Sequence, residues 1–149
     1  MTVSDSSGVA DWIAIVDDDH SIRRALARAC RVSGINATTF ESAEEFLGRS
    51  SPDEPRCVVL DVNLGGMSGF ALQDRLAARG KRIPIIFMTA MDEISSSQLA
   101  SRSGPNGYLR KPFDTNTLLT LVQRHLDIAV EDASSEPPRR DSSARRSGT

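Results

Sequence analysis

The fold is decided by one stretch, Ile13-Ala14-Ile15-Val16-Asp17-Asp18-Asp19, in which four apolar residues are followed directly by three acids. A second stretch repeats this arrangement, with Asp61 directly after Cys57-Val58-Val59-Leu60. A short continuous apolar run is typical of a parallel strand that is buried on both faces. Because ligands of open α/β sheets bind at the carboxyl ends of the strands, the two acidic tips predict one shared site. Converging carboxylates repel one another, and a divalent cation that prefers oxygen ligands, such as Mg²⁺, relieves that repulsion.

Length and composition are those of one globular domain: 149 residues, 39% hydrophobic and 26% charged. The net charge of -2 gives no reason to expect a nucleic-acid surface, and no apolar stretch is long enough to span a membrane. Residues 1–10 lack the regions of a secretory signal and are interpreted as a flexible N-terminus. Cys30 and Cys57 lie in apolar patterns without disulfide or metal spacing, so we expect reduced core thiols in a cytoplasmic protein.

Strand and helix patterns alternate along the chain, which predicts a parallel sheet covered by helices on both faces, an α/β fold of five βα units. The helical patterns are an apolar stripe from Ile22 to Cys30, a capping box at 42–45, a helix through Leu72 and Leu76, a serine-rich segment 92–103 and a last helix capped by Asp114. The predicted strands are Ile13–Val16, 35–40, 57–60, 83–89 and 108–110.

The apolar pattern stops near residue 129, which sets the predicted domain at 11–128. Residues 133–149 contain no large apolar side chain. Such a segment cannot bury enough surface to offset the entropy lost on ordering, so 129–149 is interpreted as a disordered tail. No helix-turn-helix or catalytic domain follows the last helix in this sequence, and we therefore expect output through a binding partner.

Two further strand ends carry polar residues, Thr89 and Lys111. One edge of the predicted sheet thus carries two acidic tips, a hydroxyl group and an ammonium group. This set of groups is the one needed to transfer a phosphoryl group to a carboxylate. Asp61 is the candidate nucleophile, and Asp17 and Asp18 are candidate Mg²⁺ ligands. Thr89 and Lys111 can donate to phosphoryl oxygens as charge develops on them.

Five motifs occur in a fixed order between residues 12 and 126. They are Ile15-Val16-Asp17-Asp18-Asp19, Leu60-Asp61-Val62, Met67-Ser68-Gly69, Met88-Thr89-Ala90 and Tyr108-Leu109-Arg110-Lys111-Pro112-Phe113. Together they resemble the receiver domain of two-component response regulators, a CheY-like family with a flavodoxin-like fold. The resemblance implies a doubly wound (βα)5 sheet of strand order 2-1-3-4-5, with the site between the tips that hold Asp18 and Asp61.

The resemblance also implies roles for individual residues. Asp61 corresponds to the phosphoacceptor and, with Asp18, to a direct Mg²⁺ ligand, whereas Asp17 acts on the metal largely through water. The backbone carbonyl of Asn63 occupies the place that completes the metal shell.

Other positions correspond to the family's switch. Thr89 and Lys111 match the conserved hydroxyl and lysine, and Tyr108 matches the aromatic switch residue. The Lys111–Pro112 bond is often cis in the family, which an X-Pro bond allows at low cost. The chain departs from the pattern at Gly65-Gly66, where many members carry proline, so a more mobile loop is expected. It also departs in the serine-rich fourth helix, which leaves the packing of that helix open.

The implied function is a phosphoacceptor signalling module rather than an enzyme acting on external substrates. A sensor histidine kinase or phosphotransfer protein would supply the phosphoryl group to Asp61. The added charge would then bias a surface that binds an output protein, or a second copy of the chain. Direct contact with nucleic acid or membrane is not expected.

Two alternatives remain open at this point. A haloacid-dehalogenase-type phosphatase would also use Asp61 as nucleophile, but that family needs a second acid where this chain has Asn63. It also needs a late acidic motif beyond the lysine, and it needs no acidic cluster on the first strand. A scaffold that has lost phosphorylation is the other alternative, and the complete set of site residues argues against it.

Overall fold

The computed structural model describes residues 11–49, 53–90 and 94–134, with side chains described up to residue 126. Five strands alternate with five helices, and a short 3-10 helix, Gly104–Asn106, precedes the last strand. The strands are β1 Ile13–Val16, β2 Ala37–Phe40, β3 Val58–Asp61, β4 Ile85–Ala90 and β5 Tyr108–Lys111. The helices are α1 His20–Val32, α2 Ala43–Leu47, α3 Gly69–Ala78, α4 Ser96–Ser103 and α5 Thr115–Ser134.

All four strand pairings are parallel, and the strand order is β2-β1-β3-β4-β5. This confirms the predicted fold class and strand order. The order reverses direction between β1 and β3, and their register places Val16 opposite Leu60. Asp17 and Asp61 each follow one of these two residues, so the acidic tips lie side by side at the point where an open α/β sheet forms its crevice.

Successive residues of the central strands enter two different cores. Ala14 and Val16 face the core under α2, α3 and α4, whereas Ile13 and Ile15 face the core under α1 and α5. Every residue of β1 and β3 is buried. Such two-sided burial explains why these strands read as unbroken apolar runs rather than as alternating patterns.

Side-chain caps fix where the helices begin. Asp19 Oδ1 accepts the Ser21 N–H at 2.9 Å at the start of α1. Ser42 caps α2 as predicted, with Ser42 Oγ accepting from Glu45 N–H at 2.9 Å, whereas Glu45 Oε1 accepts from Glu41 N–H at 2.7 Å, one residue before the position that a capping box uses. Ser95 Oγ accepts the Gln98 N–H at 3.1 Å, so serine supplies the start of α4.

The observed element limits correct several predicted ones. β2 begins at Ala37 rather than 35, because the Ile35 N–H still donates to Cys30 O at 2.8 Å in the last turn of α1. β4 begins at Ile85 rather than 83, directly after Pro84, which has no N–H for the ladder.

Five limits lie one or a few residues later than predicted. β3 is Val58–Asp61 and includes the acid, which pairs with Met88. β4 and β5 both extend by one residue, because Ala90 lies opposite Lys111. α4 begins at Ser96 rather than 92, after its serine cap.

The last helix continues beyond the predicted domain boundary at 128. α5 runs to Ser134, so residues 129–134 are helical, contrary to the disordered tail predicted for 129–149. Alanine and glutamate in this stretch have high intrinsic helix propensity, which an argument from apolar content misses. The remaining tail, 135–149, and the predicted flexible N-terminus, 1–10, lie outside the described residues. Within the described part of the chain, none of the helices has the length and apolarity needed to cross a bilayer.

Candidate functional site

Three acids meet at the carboxyl edge of the sheet. Asp17 is fully buried, Asp61 is 5% exposed, and Asp18 is exposed at the mouth of the site. One carboxylate oxygen from each lies within 4.8 Å of those from the other two. The structure thus brings together the three acids that the sequence marked as candidates, and the donor set consists of carboxylate oxygen.

Lys111 joins two of these acids. Its Nζ donates to Asp17 Oδ2 at 2.9 Å and to Asp61 Oδ2 at 3.1 Å. β5 is an edge strand, and β4 separates it from β3, so the lysine side chain extends along the rim past the end of β4. A long, flexible side chain ending in a compact charge suits this reach.

The second oxygen of each buried acid is held by its own turn. Asp17 Oδ1 accepts the Asp19 N–H at 2.8 Å, and Asp61 Oδ1 accepts the Asn63 N–H at 3.0 Å. Arg23 Nη1 donates to the backbone oxygen of Asp17 at 2.7 Å, which fixes the β1–α1 loop further. Local backbone geometry therefore sets the direction of both carboxylates before any ligand is present.

The site carries more negative than positive charge. Burial raises the pKa of Asp61 to about 6, and the charge of Asp17 adds to this, while the Asn63 N–H and Lys111 oppose it. Burial lowers the pKa of Lys111, but its bonds to Asp17 and Asp61 and their charges outweigh that effect, so the pKa rises overall. Three carboxylates facing one ammonium suit a hard divalent cation, and the oxygen-only donor set matches the preference of Mg²⁺.

Thr89 and Tyr108 share one face of the sheet. Thr89 is fully buried near the end of β4, and Tyr108 at the start of β5 packs against the core under α2, α3 and α4. The register places Tyr108 opposite Phe87, two residues before Thr89 on the same strand. Alternation along β4 therefore points Thr89 to the side on which Tyr108 lies.

The structure shows two local features of the motifs listed above, a cis peptide and a glycine packed against backbone. The Lys111–Pro112 peptide is cis, as the resemblance implied. Gly69 lies so close to the acidic strand that a Cβ at this position would be 2.5 Å from the backbone oxygen of Asp61. Because the approach is to backbone, no other residue fits without moving the phosphoacceptor candidate, which explains the glycine of Met67-Ser68-Gly69.

Apolar surface adjoins the site on one side. A cavity of about 450 Å³ lies between α1 and the segment joining β5 to α5. Ile22 and Leu26 of α1 line it together with Lys111, Pro112 and Phe113. The lysine that binds the two acids thus also borders an apolar depression on the surface.

The family model of the response regulator receiver domain matches residues 13–123. The chain belongs to the receiver family. The matched residues include all five strands and helices α1 to α4, so family membership extends over the whole sheet and its acidic edge.

Curated relatives of this receiver are longer proteins. It is 39% identical over 117 residues to the DNA-binding transcriptional regulator NtrC of Klebsiella pneumoniae, which covers 78% of the chain and 24% of NtrC. It is 40% identical over 110 residues to nodulation protein W of Bradyrhizobium diazoefficiens, covering 74% of the chain and 48% of that protein. The receiver therefore spans about a quarter to a half of these relatives.

A solved structure of similar size supports the fold directly. The response regulator receiver protein from Burkholderia phymatum is 39% identical, with a TM-score of 0.69 over 79% of this chain and 96% of that one. The receiver described here is thus similar to a complete solved chain as well as to parts of longer regulators.

Sequence reasoning missed two side chains near the receiver's site. Arg110 Nη2 donates to Ile94 O at 2.7 Å and to Ser96 Oγ at 3.1 Å, which ties β5 to the start of α4. Glu44 Oε2 accepts the Met67 N–H at 3.0 Å, which ties α2 to the β3–α3 loop. The sequence places Glu44 in a helix-start pattern and Arg110 in a short strand, and no sequence signal marks their distant partners.

Proposed function

We propose that this receiver accepts a phosphoryl group onto Asp61 from the phosphohistidine of a cytoplasmic sensor histidine kinase or phosphotransfer protein. The observation that carries the proposal is the placement of Lys111 Nζ within hydrogen-bond distance of both Asp17 and Asp61 at the acidic edge. That geometry supplies a nucleophile, a positive charge beside it and a neighbouring acidic pair. The apolar cavity next to Lys111 offers a donor protein a surface close to Asp61.

In the proposed reaction a carboxylate oxygen of Asp61 attacks phosphorus. The new O–P bond forms while the N–P bond of phosphohistidine breaks, and its electron pair returns to the imidazole nitrogen. The pKa of about 6 leaves Asp61 mostly ionised at neutral pH, as a nucleophile requires. Lys111 and the Thr89 hydroxyl would donate to phosphoryl oxygens. Mg²⁺ held by Asp17, Asp18, Asp61 and the Asn63 carbonyl would neutralise charge on the phosphoryl oxygens.

The test is incorporation of phosphate from a small donor. With acetyl phosphate and Mg²⁺ the intact mass should rise by one phosphoryl group, carried on the peptide that contains Asp61, and EDTA should prevent the increase. External phosphate esters such as p-nitrophenyl phosphate should not turn over. Absence of labelling in folded, metal-loaded protein would contradict the proposal. The receiver match, with Asn63 where a second acid is needed, leaves the phosphatase alternative without support.

We further propose that Thr89 and Tyr108 couple this site to the surface formed by α4, β5 and α5, which would bind an output protein or a second copy of the chain. A phosphoryl group adds charge of about -2 beside Thr89. Moving a two-state surface from about 1:99 to 99:1 requires roughly 5.5 kcal/mol of differential interaction. Hydrogen bonds to a charged group contribute about 1.5–3 kcal/mol each, so bonds from Thr89 and Lys111 would supply about 3–6 kcal/mol, and metal contacts would add to this.

Thr89→Ala should uncouple phosphorylation from this surface. The variant keeps Asp61 and Lys111 and should therefore still accept phosphate, but it lacks the hydroxyl that draws Tyr108 inward. NMR spectra with and without beryllofluoride, a phosphate mimic, provide the measurement. Wild type should show large shifts for residues 94–109, and Thr89→Ala should lose most of them. Shifts of wild-type size in the variant would show that Thr89 is not the coupling residue.

A further inference from the structure

The loop between β3 and α3 lies against the acidic site. Its first part is held by the bond from Asn63 N–H to Asp61 Oδ1, and the chain closes at the other end with Gly69 N–H donating to Val62 O at 2.8 Å. Between these points the loop passes Asp18, whose Oδ2 would lie 3.6 Å from a Cβ at Gly65. Residues 63–68 therefore form one wall of the site.

A side chain from another element holds this wall. Glu44 is exposed on α2, yet its Oε2 accepts the Met67 N–H at 3.0 Å across 23 positions of sequence. A bond between a carboxylate and a backbone N–H is charge-assisted and stronger than a neutral one. The bond from Met67 holds a loop that contains Gly65-Gly66. Glycine loses more backbone conformational freedom on ordering than any other residue type.

Gly66 is matched to this contact. A Cβ at residue 66 would lie 2.8 Å from Glu44 Oε2 and 3.3 Å from Oε1, so the carboxylate lies directly against the glycine backbone. Among the described glycines, those with positive φ are 34, 80, 104 and 107, so the conformation of residue 66 does not itself demand glycine. A Cβ at residue 66 would instead push the flexible Glu44 side chain away from this position.

We propose that Glu44 is a positioning residue that latches the β3–α3 loop through Met67 and thereby holds Asn63 in place beside Asp61. The latch offsets the flexibility expected where Gly65-Gly66 replaces the usual proline. Its effect on metal binding rests on the proposed function, because it acts through the Asn63 carbonyl as a Mg²⁺ ligand. The effect on loop order does not depend on that function.

Four variants separate the latch from a simple charge effect. Glu44→Ala removes the acceptor, and Gly66→Ala displaces it. Glu44→Gln keeps an oxygen that can accept the same bond but removes the charge. Glu41→Gln is the matched control, because it removes an exposed acid just before α2 and leaves the side chain of Glu44 intact.

The first measurement is amide hydrogen exchange of Met67 in metal-free protein. Exchange should be at least several-fold faster in Glu44→Ala and Gly66→Ala, and intermediate in Glu44→Gln, whose neutral oxygen accepts a weaker bond, while Glu41→Gln stays close to wild type. Unchanged exchange in Glu44→Ala would overturn the latch. Exchange in Glu41→Gln as fast as in Glu44→Ala would show that loss of a nearby charge rather than of the hydrogen bond is responsible, which also overturns it.

The second measurement is Mg²⁺ affinity by calorimetric titration. Removal of a group that orients a metal ligand typically costs about tenfold or more in affinity, and we expect about that loss in Glu44→Ala and Gly66→Ala. Faster exchange with unchanged affinity would keep the latch and overturn its role in positioning Asn63. If wild type itself binds no Mg²⁺, the proposed metal function fails and the positioning role fails with it, while the exchange result still decides whether the latch exists.

Discussion

Asp61→Asn is expected to take up no phosphoryl group and yet to be more stable than wild type at pH 7 in the absence of metal. The amide is not a nucleophile, so labelling from acetyl phosphate should be lost completely. Its size is unchanged, and its oxygen can still accept the Asn63 N–H. Because the variant should unfold at a higher temperature, loss of labelling could not be attributed to misfolding.

The stability gain follows from the charge at the site. Burial and the charge of Asp17 raise the pKa of Asp61 from 3.8 to about 6. The folded state therefore binds this proton more tightly than the unfolded state, and ionisation reduces stability as pH rises from about 4 to about 6, with the full cost present above that range. At 1.36 kcal/mol per pKa unit the cost is roughly 3 kcal/mol at most. This cost is already net of the opposing effect of Lys111 on the pKa, so we expect a gain of up to about 3 kcal/mol.

Urea denaturation in EDTA at pH 7 and pH 4 measures this gain. The difference between Asp61→Asn and wild type should be largest at pH 7 and should shrink towards zero at pH 4, where Asp61 is protonated in the folded state. Asp11→Asn serves as the control, because it changes the same atoms in an exposed ion pair with Arg56 and should shift stability by less than about 1 kcal/mol. A variant less stable than wild type at pH 7 would show that the pair with Lys111 outweighs the cost of the buried carboxylate.

The strand tips were predictable because buried parallel strands leave a simple signature. Ile13–Val16 and the run before Asp61 are apolar at every position, and an acid follows each run directly at the carboxyl edge of the sheet. The order of elements then brings these tips to one edge for geometric reasons alone. The same logic located Thr89, which follows an apolar run that forms β4, while Lys111 was placed on this edge by the predicted short strand 108–110.

Contacts between distant elements were beyond this kind of reasoning. The sequence places Lys111 on the rim, but only the structure shows that its Nζ contacts Asp17 as well as Asp61. The bonds of Glu44 to Met67 and of Arg110 to Ile94 depend on how α2 and β5 pack, and exposed charges carry no periodic signal. Some predicted strand limits were wrong for similar local reasons. For example, the Ile35 N–H remains hydrogen-bonded to α1, so β2 begins later than predicted.

The second large effect is expected from the acids of the β1–α1 loop, which are adjacent in sequence but differ in environment. Asp18 is exposed at the mouth of the site, and its carboxylate lies within 4.8 Å of those of Asp17 and Asp61. Asp19 Oδ1 instead accepts the N–H groups of Ser21 at 2.9 Å and Ile22 at 3.2 Å as the cap of α1. Of these two acids, Asp18 is therefore the one that presents an oxygen to a metal beside Asp61.

Asp18→Ala and Asp19→Ala should consequently show opposite losses. Loss of a group that only orients a metal ligand costs roughly tenfold in affinity, and loss of a ligand itself should cost more. Asp18→Ala should therefore bind Mg²⁺ well over about tenfold more weakly than wild type. Its melting temperature should change little. Removing an N-cap costs about 0.5–2 kcal/mol, so Asp19→Ala should melt several degrees lower while binding Mg²⁺ nearly as wild type does. Calorimetric titration and thermal unfolding of the two variants side by side make the comparison. Equal losses of affinity would mean that the ligand set is wrong, and an undiminished affinity in Asp18→Ala would remove the metal from this edge of the sheet.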